Sequence, residues 1–279
     1  MRLDLVDVFG ASAMAGNPLA VVHGGAGLSD DQMLRLTQWL GFSETTFLLP
    51  PDDERADYKV RIFYPAGELP FAGHPTLGTC HAWLAEGGKA REDGVIVQQC
   101  GVGLVKVRRD DNRLAFEAPA LMRSGPLSES ELAQAVAVTG VDPASVVEAV
   151  HVANGPNWQL LRLKSAEDVL AAKPAARAAI GTDIGLAGPC AQGAGSDWEL
   201  RAFFSNQHGQ LVEDPVTGSF NAGVARHLIE NGLVPPTYLA TQGRCTGADG
   251  QVYVSRDAQG AIWIGGLCRT IARGGALSL

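Results

Sequence analysis

The chain has 279 residues, of which 46% are hydrophobic, so it is long enough for one large domain or two medium ones with separate cores. Its net charge of −8 and its lack of a basic cluster argue against a nucleic-acid or anionic-membrane partner. Five scattered cysteines show neither disulfide-framework nor zinc spacing, and no apolar run is long enough to span a bilayer, so we expect a cytoplasmic protein.

The first elements are two strands followed by a helix with clear end signals. Apolar and β-branched residues at 3–9 and 19–22 flank a Gly-Asn-Pro turn, which predicts two strands joined by a loop. Ser29 and Gln32 then form a capping box, apolar residues recur at helical spacing, and Gly41 ends the pattern.

A second helix with the same signals is predicted over residues 127–140. Ser128 and Glu131 repeat the capping box, and Gly140 repeats the terminal glycine. Because the two segments match without a gap, we interpret the two helices as copies of one element.

The strongest internal signal is a repeat, in which residues 57–85 and 197–225 match without a gap. The identical pairs include Asp57 with Asp197, Arg61 with Arg201, Phe63 with Phe203, Pro75 with Pro215 and Gly78 with Gly218. We therefore expect two lobes built on one scaffold. At one repeated position the chemistry differs, because His74 in the first copy stands against Asp214 in the second.

Each copy predicts a strand, a loop and a buried helix. The helices are expected at about 75–86 and 215–231, with Pro75 and Pro215 in their first turns, where the missing N–H costs nothing. Small or apolar residues cover most of the surface of both helices, which indicates that each helix lies at the centre of its lobe.

The remaining segments complete the domain organisation. Further strands are predicted at 94–108, 113–117, 158–163, 251–255 and 261–266, and a surface helix or loop at 165–177. A Pro- and Gly-containing turn at 123–126 interrupts the pattern. We expect an N-terminal lobe of residues 1–118, completed by about 266–279, and a C-terminal lobe of residues 119–265.

The starts of the two buried helices have the character of an anion site. Their first-turn N–H groups carry partial positive charge, and Gly73 and Gly218 leave the backbone open to close approach. Thr217 and Ser219 add hydroxyl groups. Ordinary helix capping uses the same residue types, but two different titratable residues at one repeated position favour a site for proton transfer.

Glu44 is a further candidate, because it precedes an apolar run. If it is half-buried, its pKa rises and it becomes a credible general acid/base near neutral pH. If it lies on an edge strand, it faces water and has no such role. The residues alone leave both interpretations open.

Five stretches form a specific combination: GNPLAVV at 16–22, SETTF at 43–47, ELPFAGHPT at 68–76, RAFF at 201–204 and EDPVTGS at 213–219. In these the chain resembles the PhzF family of phenazine-biosynthesis-like isomerases, which has the diaminopimelate epimerase-like fold. The resemblance implies an α+β fold of two pseudo-symmetric lobes, each with a curved mixed or antiparallel sheet wrapped around a central helix. It also implies an active site between the lobes.

The resemblance implies roles for single residues as well. Catalysis would rest on Glu44 as the proton-shuttling acid/base, assisted by His74, Asp214 and Ser219. Substrate binding would involve Asn17, Gly73, Thr217 and Gly218. We accordingly expect a homodimeric isomerase that moves a proton within a small anionic, carboxylate-bearing metabolite and needs neither a metal nor an organic cofactor.

Two alternatives remain. Related epimerases on this fold use two cysteines, but no cysteine lies between residues 65 and 79 or between 205 and 219, and Cys80 falls inside a helix. A thiol epimerase is therefore disfavoured against a one-base isomerase. The second alternative is a non-catalytic binding or regulatory protein.

Three departures from the family pattern bear on that second alternative: Ala72 in the first motif, Phe220-Asn221 after the second, and a late Gln242-Gly243 motif without its usual Arg-Pro ending. A phenylalanine beside Ser219 is expected to narrow or reshape the pocket. The substrate of the well-studied members therefore does not transfer directly.

Overall fold

The computed structural model describes residues 1–278 and divides the chain into two units. One unit holds Met1–Glu117 with the C-terminal segment that begins at Gly265, and the other holds Ala118–Ile264. Within the described residues, no helix combines the length and the apolar character that crossing a membrane requires.

The first unit contains eight strands and two α-helices before the chain enters the second unit: β1 (Arg2–Val8), β2 (Asn17–His23), α1 (Asp30–Leu40), β3 (Thr45–Leu49), β4 (Tyr58–Tyr64), β5 (Gly67–Leu69), α2 (Gly73–Ala85), β6 (Val95–Cys100), β7 (Gly103–Asp110) and β8 (Arg113–Glu117). The predicted strand at 94–108 is thus two strands, because a tight turn at residues 101–102 reverses the chain and Gly103 has a φ of 102°.

The second unit continues with eight strands and three α-helices: β9 (Arg123–Pro126), α3 (Glu129–Thr139), β10 (Val146–Ala153), β11 (Gln159–Leu163), α4 (Ala166–Ala171), β12 (Asp183–Pro189), β13 (Trp198–Ser205), β14 (Leu211–Asp214), α5 (Gly218–Glu230), β15 (Thr237–Gln242) and β16 (Gly250–Arg256). A last strand, β17 (Ile262–Ala276), carries the chain back into the first unit. The strands β5, β9, β10, β12, β14 and β15 had no counterpart among the sequence predictions. The predicted turn at 123–126 is wrong, because these residues form β9 and pair with β10.

Both units repeat one order of strand pairing. In the first unit β1–β2 is antiparallel, β2–β3 parallel, β3–β4 and β4–β5 antiparallel, β4–β6 parallel and β6–β7 antiparallel. The same directions recur in β10–β11, β11–β12, β12–β13, β13–β14, β13–β15 and β15–β16. The expected α+β fold of two pseudo-symmetric lobes with mixed sheets is confirmed.

The two capped helices form where the sequence predicts them. The capping boxes of Ser29 with Gln32 and of Ser128 with Glu131 are both present, and Gly41 and Gly140 close the helices in the left-handed conformation.

Their interpretation as copies of one element is wrong, however. Helix α1 connects β2 to β3, whereas α3 precedes β10, the counterpart of β1. The short helix α4, which connects β11 to β12, occupies the place of α1. Capping signals are local, so they identify a helix end and carry no information about its place in the topology.

Each unit has a largely buried helix against its sheet. Helix α2 contacts β1, β2, β3, β6 and β8, and helix α5 contacts β10. The sixth residue of each is a glycine at a close contact. A Cβ at Gly78 would lie 2.5 Å from the Leu19 side chain, and a Cβ at Gly223 would lie 2.4 Å from the Val152 carbonyl oxygen.

The repeat keeps its predicted register only as far as the strands β4 and β13. There, Arg61 and Arg201 each stack over a phenylalanine, with 5.0 Å between the guanidinium carbon and the ring centroid in both units. Each also makes a two-point ion pair, with Glu68 in the first unit and with Glu213 in the second.

The hairpins that follow differ in length. Ile62 pairs with Leu69, seven residues further on, while the equivalent Ala202 pairs with Asp214, twelve residues further on. The second hairpin is therefore five residues longer, and beyond it the gapless pairing of the two copies is wrong. The structure equates Asp214 with Leu69.

Candidate functional site

In the first unit, Glu44 and His74 come together. Glu44 is the last residue before β3, and His74 is the second residue of α2. The His74 Nε2 atom lies 3.6 Å from the Glu44 Oε2 atom, and the two side chains are 5% and 17% exposed. Glu44 is therefore a mostly buried carboxyl group beside a buried imidazole, which meets the burial condition of the first of its two sequence interpretations.

His74 is neutral at pH 7. Burial of the imidazole lowers the pKa of His74 to about 3, because desolvation penalises the charged form. Its Nε2 atom is buried and has no hydrogen-bond partner among residues 1–278. A buried polar atom in that state gains from any ligand group that can bond to it.

The other two predicted residues of the first unit lie on the same elements. Asn17 begins β2, is 1% exposed and accepts a 3.4 Å hydrogen bond at its Oδ1 atom from the Ser43 hydroxyl. Since Ser43 precedes Glu44, this bond links Asn17 to the loop that carries Glu44. Gly73 is the first residue of α2, where the backbone N–H groups have no acceptor inside the helix.

In the second unit, the four predicted residues Asp214, Thr217, Gly218 and Ser219 lie where β14 ends and α5 begins. Asp214 ends the strand, and Thr217 precedes the first helical residue, Gly218. The Thr217 hydroxyl donates a 2.6 Å hydrogen bond to the Asp214 Oδ2 atom. Thr217 was predicted to bind substrate, and its side chain here contacts Asp214.

The helix starts differ from the prediction in a consequential way. Pro215 lies outside α5, and Asp214 lies on a strand end rather than in the first turn. Counted from the helix starts, the equivalent pairs are Gly73 with Gly218 and His74 with Ser219. The prediction that His74 and Asp214 occupy equivalent positions of the repeat is therefore wrong.

Ser219 has two partners that sequence reasoning did not assign to the site. The Trp158 indole donates a 2.9 Å hydrogen bond to the Ser219 hydroxyl oxygen, and the Asn154 side-chain amide donates a 2.8 Å bond to the Ser219 carbonyl oxygen. Both partners lie within the stretch that ends β10 and leads to β11. The indole occupies an acceptor position of the hydroxyl, so the Ser219 hydroxyl proton can donate elsewhere.

Phe220 does not narrow a pocket beside Ser219. Its side chain is fully buried in the second unit, with its ring centroid 5.2 Å from that of Trp158. A Cβ at Gly185 would lie 2.1 Å from the Phe220 ring, so the glycine leaves the space that the ring fills. The expectation of a reshaped pocket is corrected: the ring faces the core and supports Trp158.

The cysteines do not offer a thiol pair for proton transfer. Cys80 is fully buried inside α2, and desolvation raises the pKa of its thiol to about 12. Burial also raises the pKa of the Cys268 thiol. Both thiols are protonated and hence poor bases at neutral pH. Among the described residues, no group of three or more His, Cys, Asp or Glu side chains could hold a metal ion.

Residues 6–272 match the protein family described as phenazine biosynthesis-like protein (PhzC-PhzF). The chain is 33% identical over 237 residues to the trans-2,3-dihydro-3-hydroxyanthranilate isomerase of Pseudomonas aeruginosa, covering 84% of this chain and 82% of that protein. It is 31% identical over 294 residues to antisense-enhancing sequence 1 of Schizosaccharomyces pombe, covering 96% of each.

A solved structure agrees with the fold. The PhzF-family phenazine biosynthesis protein of Bacillus anthracis superimposes with a TM-score of 0.81 at 22% identity, over 100% of this chain and 99% of that one. At that level of identity the likeness concerns the fold alone.

Proposed function

The chain belongs to the phenazine biosynthesis-like protein family of isomerases, and we propose that it moves a proton within a small carboxylate-bearing substrate by Glu44 acid/base catalysis. In this proposal neither a metal nor an organic cofactor takes part. The homodimer and the cytoplasmic location stay predictions.

The pairing of Glu44 with a neutral His74 is the observation that supports the proposal most. A base that must also return its proton cannot be held permanently ionised by a neighbouring positive charge. Because burial keeps His74 neutral, the imidazole adds no such charge at pH 7. The 3.6 Å separation between the His74 Nε2 and Glu44 Oε2 atoms is too long for a hydrogen bond, and it places a neutral imidazole beside the carboxyl group.

The proposed reaction is a proton shift between two carbons. Glu44 as a carboxylate takes a proton from one carbon, and the electron pair of the broken C–H bond moves into the substrate as its double bond shifts. Glu44 then returns the proton to a second carbon. Atoms and charge balance without a redox partner.

Binding of the substrate carboxylate is assigned to the backbone at the helix starts. The first N–H groups of α2 and α5 follow Gly73 and Gly218, whose lack of a side chain permits close approach. In this proposal Asn17, Ser219 and Thr217 add polar contacts, and Asp214 assists the proton transfer.

The test uses trans-2,3-dihydro-3-hydroxyanthranilate, the compound in the name of the Pseudomonas relative, in deuterated water. We expect turnover, with deuterium incorporated at a carbon of the product and detected by mass spectrometry. The variant Glu44→Gln should turn over at least about a hundredfold more slowly, the usual scale for a general acid/base. The exposed Glu54→Gln in the same unit is the matched control. Unchanged turnover in Glu44→Gln would rule out the assignment.

A non-catalytic binding protein is the second candidate, since the fission-yeast relative has a name that describes no reaction. It predicts a ligand that binds and is recovered without deuterium after long incubation. The thiol epimerase is disfavoured by the buried, protonated Cys80.

A further inference from the structure

The late motif Gln242-Gly243 has no role in the function proposed above, yet the Gln242 side chain is at the centre of a hydrogen-bond network. Gln242 ends β15 and is 1% exposed. Its amide contacts Asp214, Thr217 and Asn221, all on the turn between β14 and α5 or on the first turn of α5.

The direction of every hydrogen bond in this network follows from one backbone group. The Thr217 backbone N–H can only donate, and it lies 3.1 Å from one terminal atom of the Gln242 amide, which must therefore be the oxygen. The Asn221 amide nitrogen, 2.9 Å from the same atom, donates to it as well. The other terminal atom of Gln242 is then nitrogen, which is a donor only.

That nitrogen determines the state of the next group. It donates to the Asp214 carbonyl oxygen at 3.0 Å and to the Thr217 hydroxyl oxygen at 2.9 Å. Since the Thr217 hydroxyl accepts from Gln242, its own proton is directed to the Asp214 Oδ2 atom, 2.6 Å away. Asp214 Oδ2 is thereby the acceptor of this bond.

The backbone beside Gln242 is shaped for the same contact. Gly243 has a φ of 105°, and a Cβ there would lie 2.5 Å from the Pro215 carbonyl oxygen. At Gly250, which pairs with Gln242 on β16, a Cβ would lie 2.2 Å from the Val216 side chain. Both glycines let the end of β15 approach the turn that carries Asp214.

We propose that Gln242 is a positioning residue that acts through Thr217 to hold Asp214 as a hydrogen-bond acceptor directed by one defined proton. This inference rests on the proposed function, in which Asp214 assists the proton transfer. In this proposal Gln242, which is 1% exposed, makes no contact with the substrate.

The first unit contains a comparison residue. Gln98 is fully buried and likewise donates to a threonine hydroxyl, that of Thr76, at 3.0 Å. Its oxygen accepts from the Tyr58 hydroxyl, and Leu69 stands where the second unit has Asp214. The Gln98–Thr76 bond is not the counterpart of the Gln242–Thr217 bond, because Thr76 and Asn221 are the fourth residues of their helices. It still joins a buried glutamine to a threonine hydroxyl away from Asp214, so Gln98→Met is the control for lost packing and hydrogen bonding.

The kinetic test uses trans-2,3-dihydro-3-hydroxyanthranilate and the variants Gln242→Met and Gln242→Glu. A glutamate at 242 cannot donate to Thr217 when ionised, so the Thr217 proton turns toward it and away from Asp214. We expect both variants to lower kcat at least about tenfold with KM changed less than about twofold, the scale of one lost hydrogen bond to a charged group.

A double-mutant cycle separates positioning from a structural role. In the Asp214→Asn background, Gln242→Met should lower kcat no further, whereas its effect on the melting temperature should persist. Gln98→Met should lower the melting temperature by a similar amount and leave kcat within about twofold. An equal kcat loss from Gln242→Met in both backgrounds would overturn the proposal.

A measurement without substrate keeps the two proposals distinguishable. The side-chain amide protons of Gln242, assigned by their loss in Gln242→Met, should be protected from solvent exchange in nitrogen-15 spectra. Thr217→Val should shift one of them and Thr217→Ser should not. If the wild type shows this NMR pattern but does not turn the compound over, only the proposed reaction on this compound is contradicted. If the Gln242 amide signals are identical in the wild type, Thr217→Val and Thr217→Ser, the proposed role of Gln242 is overturned.

Discussion

The duplicated arginine–glutamate pair allows one interaction to be measured in two environments within one chain. Arg61 with Glu68 and Arg201 with Glu213 have the same two-point geometry, with N–O distances of 2.6 to 2.9 Å. In the first unit the side chains are 24% and 41% exposed, and in the second they are 4% and 14% exposed. We predict that Arg→Met costs far more stability at 201 than at 61.

The magnitude follows from what each substitution leaves behind. Arg61→Met leaves Glu68 hydrated, so the loss should be about 1 kcal/mol or less, as for exposed ion pairs. Arg201→Met leaves Glu213 mostly buried without its counter-charge, which costs about 3–5 kcal/mol. Arg201 also donates to the Val169 and Ala172 carbonyl oxygens at the end of α4, at 3.2 and 2.8 Å, and these lose their donor too.

Differential scanning calorimetry is a suitable assay, because it needs no substrate. At about 2–4 °C per kcal/mol for domains of 150–250 residues, the melting temperature should fall by about 6–20 °C in Arg201→Met and by at most about 4 °C in Arg61→Met. Glu213→Gln added to Arg201→Met should recover part of the loss, because it removes the unpaired charge. Equal losses at the two positions would refute the reasoning from burial.

Two further predictions concern stability. The folded-state pKa of His74, about 3, lies below the ordinary value of 6.5, so the folded state favours the neutral imidazole. The contribution of His74 to the free energy of unfolding is therefore complete above pH 6.5. It is lost as the pH falls toward 3, by up to about 1.4 kcal/mol per pH unit. His74→Gln should have a shallower decline of melting temperature between pH 6.5 and 4, and parallel profiles would contradict the assigned burial. Gly78→Ala and Gly223→Ala should each lower the free energy of unfolding by about 1–3 kcal/mol through overpacking. The loss should be larger at Gly223, where the added carbon meets the Val152 carbonyl oxygen, than at Gly78, where it meets the Leu19 side chain. A smaller loss at Gly223 in thermal unfolding would contradict this argument.

Much of the local structure was predictable because its causes lie within a few residues of chain. The capping boxes at Ser29 and Ser128 and the terminal glycines Gly41 and Gly140 are made by neighbours in sequence, and the structure has them as expected. The topology of those helices was not predictable from the same signals, because a cap looks alike wherever its helix is inserted.

The register of the repeat shows most clearly what could not be predicted from the sequence. The gapless comparison pairs Pro75 with Pro215, yet the strand pairing makes the second hairpin five residues longer and equates His74 with Ser219. A shift of five residues also yields identities, among them Glu68 with Glu213 and Gly73 with Gly218. Residue identity alone cannot locate an insertion inside a hairpin loop.

By itself, the sequence determined the family, the α+β class, the two similar lobes, the capped helices and the residue types of the candidate site, since all of these are expressed in local patterns and motif order. Only the tertiary structure decided that His74 is buried and neutral, that Phe220 fills the space beside Gly185, and that Trp158 and Gln242 contact the predicted site residues. Trp158 is 61 residues from Ser219 and Gln242 is 25 residues from Thr217. Such contacts arise from the order of strands in a sheet, and no local pattern in the chain records that order.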